Sequence, residues 1–362
     1  MPVREPGWWY GPQNVPENDH QKRWPAAALG PAAGVWAWAA RRRQARAQPV
    51  RSALPVICVG NFTAGGTGKT PLSILIAQLL VRAGERPVFL TRGYGGRVRG
   101  PYRVMPSLDT AADVGDEPLL LSRYAPVIVA RDRVAGARVA AADAGISPPT
   151  VIVMDDGLQN PGLAKDLTLA VVDGRRGLGN ERVMPAGPLR APLDMQLGLA
   201  DAIVVNTPPG AGNTPGHYVA ADLRQRFQGP VLEVTVEAVA EGLQLEGARV
   251  LALAGIANPA RFYALLDALG ADVVGRAEFA DHHAFNESDA SRVLEEARRL
   301  DARIVTTEKD WVRLVGRGGR LAELRERAET LPVRIALSPR DAERLSSLVE
   351  AALIRHRKGS VA

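Results

Sequence analysis

The chain is poor in cysteine: among 362 residues there is one, Cys58. No intrachain disulfide can form, which fits a reducing compartment. That thiol lies in an apolar run and reads as a small buried hydrophobe. Aromatics are also scarce, at 5%, and unevenly placed. Trp8, Trp9, Trp24, Trp36 and Trp38 crowd the beginning, leaving only Trp311 elsewhere. No apolar stretch near them reaches the roughly 20 residues of a membrane-spanning helix. A secretory signal is not expected either, because Arg41, Arg42, Arg43 and Arg46 follow the apolar residues 25–40 rather than precede them. Negative charge is the smaller share: 39 Asp and Glu against 45 Lys and Arg, a net charge of +6. The excess favours anionic partners: a membrane surface, nucleic acid or phosphorylated substrates. Hydrophobic content of 46% is enough for a core, and the length predicts two domains or one large one.

What the chain does contain is a phosphate-binding loop. Val56-Ile57-Cys58-Val59 reads as a buried strand, and Leu72, Ile76, Leu79 and Leu80 recur at helical spacing. Between them lies Thr63-Ala64-Gly65-Gly66-Thr67-Gly68-Lys69-Thr70. Glycines let backbone N–H groups turn in around an anion, and the helix N-terminus adds partial positive charge. Lys69 is placed to reach the β- and γ-phosphates of ATP, and Thr70 to put its hydroxyl on Mg²⁺. Thr63 stands where the motif usually has its first glycine.

A second landmark is Val151-Ile152-Val153-Met154-Asp155-Asp156. An apolar strand ending in carboxylates is the metal-side partner of such a loop, so Asp155 and Asp156 are expected at Mg²⁺. Arg92, Arg133 and Arg190 each end or follow a strand, on the side where α/β sheets bind ligands, and are expected to line an anionic cleft. Short apolar strands alternate with helical stretches, which predicts a phosphate-loop NTPase-like, mainly parallel sheet. Near Pro230 the pattern changes. Residues 231–236 and 242–245 read as a two-stranded linker, followed by a second, smaller α/β domain. The expected division is an N-terminal segment over 1–47, a nucleotide-binding domain over 48–228, the linker over 229–247, the smaller domain over 248–338 and a C-terminal helix over 339–362. The Trp and Arg of the first segment predict a helix lying in an anionic membrane interface. The competing expectation is a helix docked on the protein's own body.

Taken together, the motifs resemble the tetraacyldisaccharide 4′-kinases of lipid A synthesis. The resemblance is carried by residues 60–71, by Thr91-Arg92-Gly93-Tyr94-Gly95-Gly96, Gly115-Asp116-Glu117-Pro118 and Asp155-Asp156-Gly157-Leu158-Gln159. Pro185-Ala186-Gly187-Pro188-Leu189-Arg190, Ala254-Gly255-Ile256, Asp281-His282 and Thr307-Glu308-Lys309-Asp310 extend it. It implies transfer of the ATP γ-phosphate to the 4′-hydroxyl of a lipid A disaccharide 1-phosphate, with Mg²⁺. It also implies a peripheral enzyme on the cytoplasmic face of the inner membrane, with no obligatory protein partner evident. By the same resemblance Tyr94 joins Arg92, Arg133 and Arg190 at the substrate, and Asp116 is the base, assisted by His282 or its neighbour His283. Asp116 and His282 fall in different expected domains, so their pairing would require domain closure. Asn160 and Ala191 stand where the family commonly has His and Glu. Two rival readings fit the residues less well. A phosphate-loop GTPase would carry Asn-Lys-x-Asp where this chain has Asn206-Thr207-Pro208-Pro209. A nucleic-acid module would interleave aromatics with basic residues along a groove, and here they sit in one block, so no nucleic acid is expected.

Overall fold

The structure is a computed structural model that describes residues 6–10, 24–208, 214–239 and 241–359. Parts of the predicted N-terminal segment, residues 1–5 and 11–23, lie outside the described residues, as does Pro209. The strands in chain order are β1 (Val56–Asn61), β2 (Pro87–Thr91), β3 (Tyr102–Arg103), β4 (Val127–Val129), β5 (Val151–Asp155) and β6 (Leu167–Asp173). There follow β7 (Ala202–Thr207), β8 (Val231–Ala238), β9 (Arg249–Ala254), β10 (Asp272–Glu278), β11 (Arg303–Thr307), β12 (Ala328–Leu331) and β13 (Val333–Leu337). The chain folds into two compact units. One comprises residues 5–91, 132–236 and 335–362. The other comprises 92–131 and 237–334, in both cases counting the described residues alone.

In the first unit the strand order is β13-β8-β7-β6-β1-β5-β2. β1 pairs in parallel with β5 on one side and β6 on the other. All six of its residues are buried. A parallel strand covered on both faces needs a continuous apolar run rather than alternation. The register sets the site. Val59 lies opposite Asp155 and Asn61 opposite Val171, so the loop leaving β1 and the carboxylate ending β5 emerge at the same sheet end. The helix Lys69–Arg82 then buries Leu72, Ile76 and Leu80. Burial pushes the Cys58 thiol up to about 12, as befits a structural cysteine.

In the second unit β10-β9-β11-β12 form a parallel sheet. Alternation along β9 splits its core in two. Leu251 and Leu253 pack with Phe285, Val293, Leu294 and Leu314. Val250 and Ala252 pack with Phe262, Leu266 and Val305. Successive side chains of a strand point to opposite faces, so one strand serves both layers. The segment 92–131 adds the antiparallel pair β3–β4 and the short helices Ala111–Val114 and Asp116–Leu121.

Two expectations are corrected. The expected nucleotide-binding domain includes residues 92–131, yet these group with residues 237–334. Hydrophobic patterning locates strands; it does not say which core a segment joins. The ribbon expected from residues 242–245 is absent, since no strand forms there. β8 instead pairs in parallel with β7 and neighbours β13. The apolar alternation of β8 reflected a half-covered sheet strand, not a hairpin. The terminal helix runs over Pro339–Gly359, within the expected 339–362, of which residues 360–362 lie outside the described residues.

Candidate active site

The phosphate loop is held from beneath by amides. Asn61 Nδ2 donates to the Thr63 carbonyl at 2.7 Å. Gln159 Nε2 donates to the Asn61 carbonyl, and to Gln196 Oε1, both at 2.7 Å. Gln196 in turn donates to the carbonyls of Phe62 and Ala191. Asn206, the penultimate residue of β7, donates to the Thr67 carbonyl at 3.3 Å. Gly68 has φ +97°, and a Cβ there would sit 2.7 Å from Asn206 Nδ2; only glycine satisfies both demands. The loop's outer edge is tied to residues 188–190: Ala64 N donates to the Pro188 carbonyl and Arg190 N to the Phe62 carbonyl. These bonds leave the loop preshaped for an anion at the N-terminus of the helix Lys69–Arg82.

Around that loop charges converge on Asp156. Arg190 Nη1 donates to Asp156 Oδ1 at 2.6 Å, Arg190 Nε donates to the Thr63 carbonyl, and Lys69 Nζ lies 3.9 Å from the same carboxylate oxygen. Burial alone would push Asp156 up, yet Lys69, Arg190 and Arg133 together hold it well below the usual carboxylate range. Asp156 has φ +51°, a left-handed conformation that aspartate adopts more readily than most residues other than glycine. Asp155 is different. It is fully buried, and its Oδ1 accepts from Ser73 Oγ at 2.7 Å. Among the described residues no group of three or more His, Cys, Asp or Glu is arranged for a metal. Mg²⁺ does not need one: it commonly uses one or two carboxylates with waters and substrate phosphates. The partly exposed Asp156 carboxylate and the Thr70 hydroxyl are hard oxygen donors of that kind, so the residues fit the ion.

The predicted phosphate-binding residues and Asp155, Asp156, Arg133 and Arg190 thus lie in the first unit. Arg92 is exposed and belongs to the second unit with Tyr94. Asn160 and Ala191 have local work. Asn160 Oδ1 accepts from the backbone N–H groups of Gly162 and Leu163, and the Ala191 carbonyl accepts from Gln196.

The second constellation lies wholly in the second unit. Gly115 has φ +96°, where a Cβ would meet the Tyr94 carbonyl at 2.5 Å. It caps the helix Asp116–Leu121, so Asp116 is not the cap. One Asp116 oxygen, Oδ1, accepts from the Glu117 N–H at 2.8 Å. The other, Oδ2, lies 2.9 Å from His282 Nδ1 and accepts from Arg313 Nε at 2.8 Å. Asp116 and His282 therefore meet inside one unit; the expectation that domain closure was needed is corrected, because residues 92–131 fold with the second sheet. His283 is spoken for elsewhere, 2.8 Å from Asp289 and stacked on Phe279. His282 has φ +57° and meets the exposed Tyr94 ring edge-on at 5.2 Å.

Lys309 Nζ lies 3.5 Å from His282 Nε2, 3.4 Å from Glu117 and 3.8 Å from Asp281. Burial acts to lower Lys309, but Glu117, Asp116 and Asp281 raise it to about 12. It is a fixed cation. Burial pushes Asp116 up, while Lys309, the hydrogen bond to His282 and Arg313 outweigh it and hold the carboxyl well below its ordinary range. The Thr-Glu-Lys-Asp motif explains itself: Thr307 caps the helix Glu308–Val312, accepting from Asp310 N, and delivers Lys309 and Asp310. Arg313 escaped the sequence reading. Its signal was the spacing, since i and i+3 share a helix face with Asp310.

Comparison with known proteins follows this geometry. The sequence model of the family LpxK, tetraacyldisaccharide-1-P 4'-kinase, matches residues 25–353. The tetraacyldisaccharide 4'-kinase of Rhodospirillum centenum is 48% identical over 339 residues, 92% of this chain and 93% of that one. That of Parvibaculum lavamentivorans is 44% identical over 359 residues, 98% of this chain and all of the relative. The crystal structure of LpxK from Aquifex aeolicus in complex with ATP superposes with a TM-score of 0.67 at 23% identity, covering 91% of this chain and 99% of that chain. Its likeness confirms the fold, a mainly parallel α/β sheet with a second, smaller sheet. The chain belongs to the tetraacyldisaccharide 4'-kinase family.

Proposed function

We propose that this chain transfers the γ-phosphate of ATP to the 4′-hydroxyl of a tetraacyl disaccharide 1-phosphate, a lipid A precursor. Family membership supports the substrate. The observation that carries the reaction class is the contact between His282 Nδ1 and Asp116 Oδ2, a proton-accepting pair in a chain that also holds a phosphate loop. A switch NTPase activates only water, whereas a sugar hydroxyl of high pKa gains from a positioned acceptor. Asn206, the candidate guanine reader, supports the Thr67 carbonyl instead.

Lys69 and the loop N–H groups hold the β- and γ-phosphates, and Arg190 and Arg133 add positive charge beside Asp156. Arg92 and Tyr94 are assigned to the acceptor. Thr70 and Asp156 would hold Mg²⁺, with Asp155 oriented by Ser73 behind them; the bound ion would neutralise charge on the phosphate oxygens. The hydroxyl oxygen forms a bond to the γ-phosphorus, the bond from that phosphorus to the β,γ-bridging oxygen breaks, ADP leaves, and the hydroxyl proton passes to the Asp116–His282 pair. Asp116 is the acceptor, and His282, 2.9 Å away, orients its carboxylate and tunes its basicity.

The helix Gly30–Arg46 is assigned to an anionic bilayer surface at the cytoplasmic face of the inner membrane. Val35, Trp36 and Trp38 are 67%, 49% and 59% exposed, and Arg41, Arg42 and Arg43 flank them. The helix is also tethered: Trp36 Nε1 donates to the Arg190 carbonyl at 3.0 Å and Arg41 pairs with Asp194. Among the described residues no helix is long and apolar enough to cross a membrane. Incubation with ATP, Mg²⁺ and the tetraacyl disaccharide 1-phosphate tests the reading. A product heavier by one phosphate at the 4′ position is expected; ATP turnover without that product would refute it.

A further inference from the structure

Arg313 is only 6% exposed. Its Nε donates to Asp116 Oδ2 at 2.8 Å, and Nη2 lies 2.6 Å from the same oxygen. Nη1 donates to Asp310 Oδ1 at 2.6 Å and to the Gly255 carbonyl at 2.7 Å. Asp310 is fully buried, and its other oxygen accepts from Gly255 N at 3.0 Å and from Thr307 Oγ1 at 2.7 Å. A Cβ on Gly255 would fall 2.9 Å from Asp310 and 3.1 Å from Arg313, so the backbone approaches this closely only as glycine. The arginine thus ties the Asp116 carboxylate to a frame built where β9 and β11 end.

Charge balance alone would be met by a guanidinium anywhere beside Asp116. The guanidinium works instead as a fork of two donating prongs: Nε lands on Oδ2, the oxygen that faces His282, and Nη1 on Asp310 and Gly255, while Oδ1 is held by the Glu117 N–H. Both oxygens are therefore fixed, and the carboxylate has no freedom to swing from the imidazole. We propose that Arg313 is a positioning residue for phosphoryl transfer: anchored on Asp310 and Gly255, it holds Asp116 in the one orientation from which Oδ2 meets His282 Nδ1. The inference rests on Asp116 and His282 being the proton-accepting pair. Among the described residues the other charged groups about the pair are Lys309, Glu117 and Asp281, and none of these three duplicates the fork.

The test uses the full-length enzyme with Arg313→Gln and Arg313→Lys, measuring kcat, KM and their pH profiles with ATP and the lipid acceptor. Arg313→Gln removes both fork and charge. Its kcat is expected to fall about 100-fold, as for a misplaced catalytic group, with KM for ATP nearly unchanged. Loss of a neighbouring positive charge raises the proton affinity of the pair whichever member takes the proton. The acid limb of the kcat profile therefore moves up by about one pH unit. Arg313→Lys keeps the charge, so the limb stays, but one ammonium cannot reproduce the fork and kcat falls about tenfold. A merely structural arginine would lower Tm while leaving kcat of the folded Arg313→Lys enzyme at the wild-type value. Wild-type kcat in folded Arg313→Lys overturns the proposal, as does an unshifted profile in Arg313→Gln; if the glutamine variant does not fold, the lysine variant decides. Asp116→Asn runs alongside. Full turnover in that variant defeats the pair itself, whereas its loss beside wild-type Arg313 variants defeats only the positioning role.

Discussion

His282 Nδ1 lies 2.9 Å from Asp116 Oδ2, although 166 residues separate them in the chain. If the two act as one proton acceptor, Asp116→Asn lowers kcat by about 10²–10⁴-fold and His282→Ala by less. The double variant then resembles the worse single one. Multiplicative losses would show two independent groups. The folded Asp116 carboxyl is depressed, so its ion pairs contribute above the unfolded value near ~3.9 and are lost only as pH falls through the folded one. Urea unfolding should therefore show wild type more stable than Asp116→Asn by an amount to which Asp116 adds no pH dependence between about pH 5 and 8.

Lys69 is buried against the loop, 3.9 Å from Asp156. Lys69→Ala should cost about 10²–10³-fold in kcat, the scale of losing one charge-stabilising donor, with an unchanged circular dichroism spectrum. Thr70→Ala should raise the Mg²⁺ requirement as well as slow transfer. A folded Lys69→Ala enzyme with near-normal turnover would remove the phosphate loop from the mechanism.

Asp155 and Asp156 are adjacent in sequence yet differently placed. Asp155 is fully buried against Ser73, whereas Asp156 is partly exposed beside Lys69 and Arg190. Asp156→Asn is expected to weaken Mg²⁺ activation the more, with Asp155→Asn and Ser73→Ala sharing a smaller common defect. Mg²⁺ titrations of turnover that rank Asp155→Asn as the worse variant would reverse the assignment.

His356 offers a contrast outside the chemistry. It is 3% exposed; its Nδ1 lies 3.0 Å from both Asp166 oxygens and its Nε2 3.3 Å from the Ala53 carbonyl. The ring pins the last helix to the strand end where Asp166 also accepts from Val56 N. Replacing it by alanine strands those acceptors, costing about 1–3 kcal/mol of stability. Urea unfolding should show that loss while kcat at low temperature stays near wild type.

Trp38 and Val35 face outward from the helix Gly30–Arg46. Trp38→Ser combined with Val35→Ser should weaken binding to anionic vesicles by about 100-fold or more, since two apolar side chains at ~1.5 kcal/mol or more each exceed two factors of ten. Arg41→Gln and Arg43→Gln should weaken it further at low salt. Vesicle binding equal to wild type in both sets would leave the helix as a docked structural element.

Local chemistry was legible in the chain from the start. A continuous apolar run before a glycine loop can only be a strand covered on both faces, so β1, the loop and the helix beginning at Lys69 follow from residue types alone. The acidic end of β5 is legible for the same reason, because parallel strands align their C-terminal ends. Tertiary structure decided what depends on contacts between distant segments. Residues 92–131 carry no mark of which core they join; packing of the helix Asp116–Leu121 beside the second sheet settles it, and with it the meeting of Asp116 and His282. Arg313 was invisible as a partner of Asp116 for a related reason. An arginine three residues beyond an aspartate reads as an ordinary helix pair until the fold brings a second carboxylate, 197 residues away in sequence, onto its other side. Between His282 and His283 the pattern could not choose, and the left-handed backbone at His282 did: it turns one imidazole toward Asp116 and leaves its neighbour stacked on Phe279.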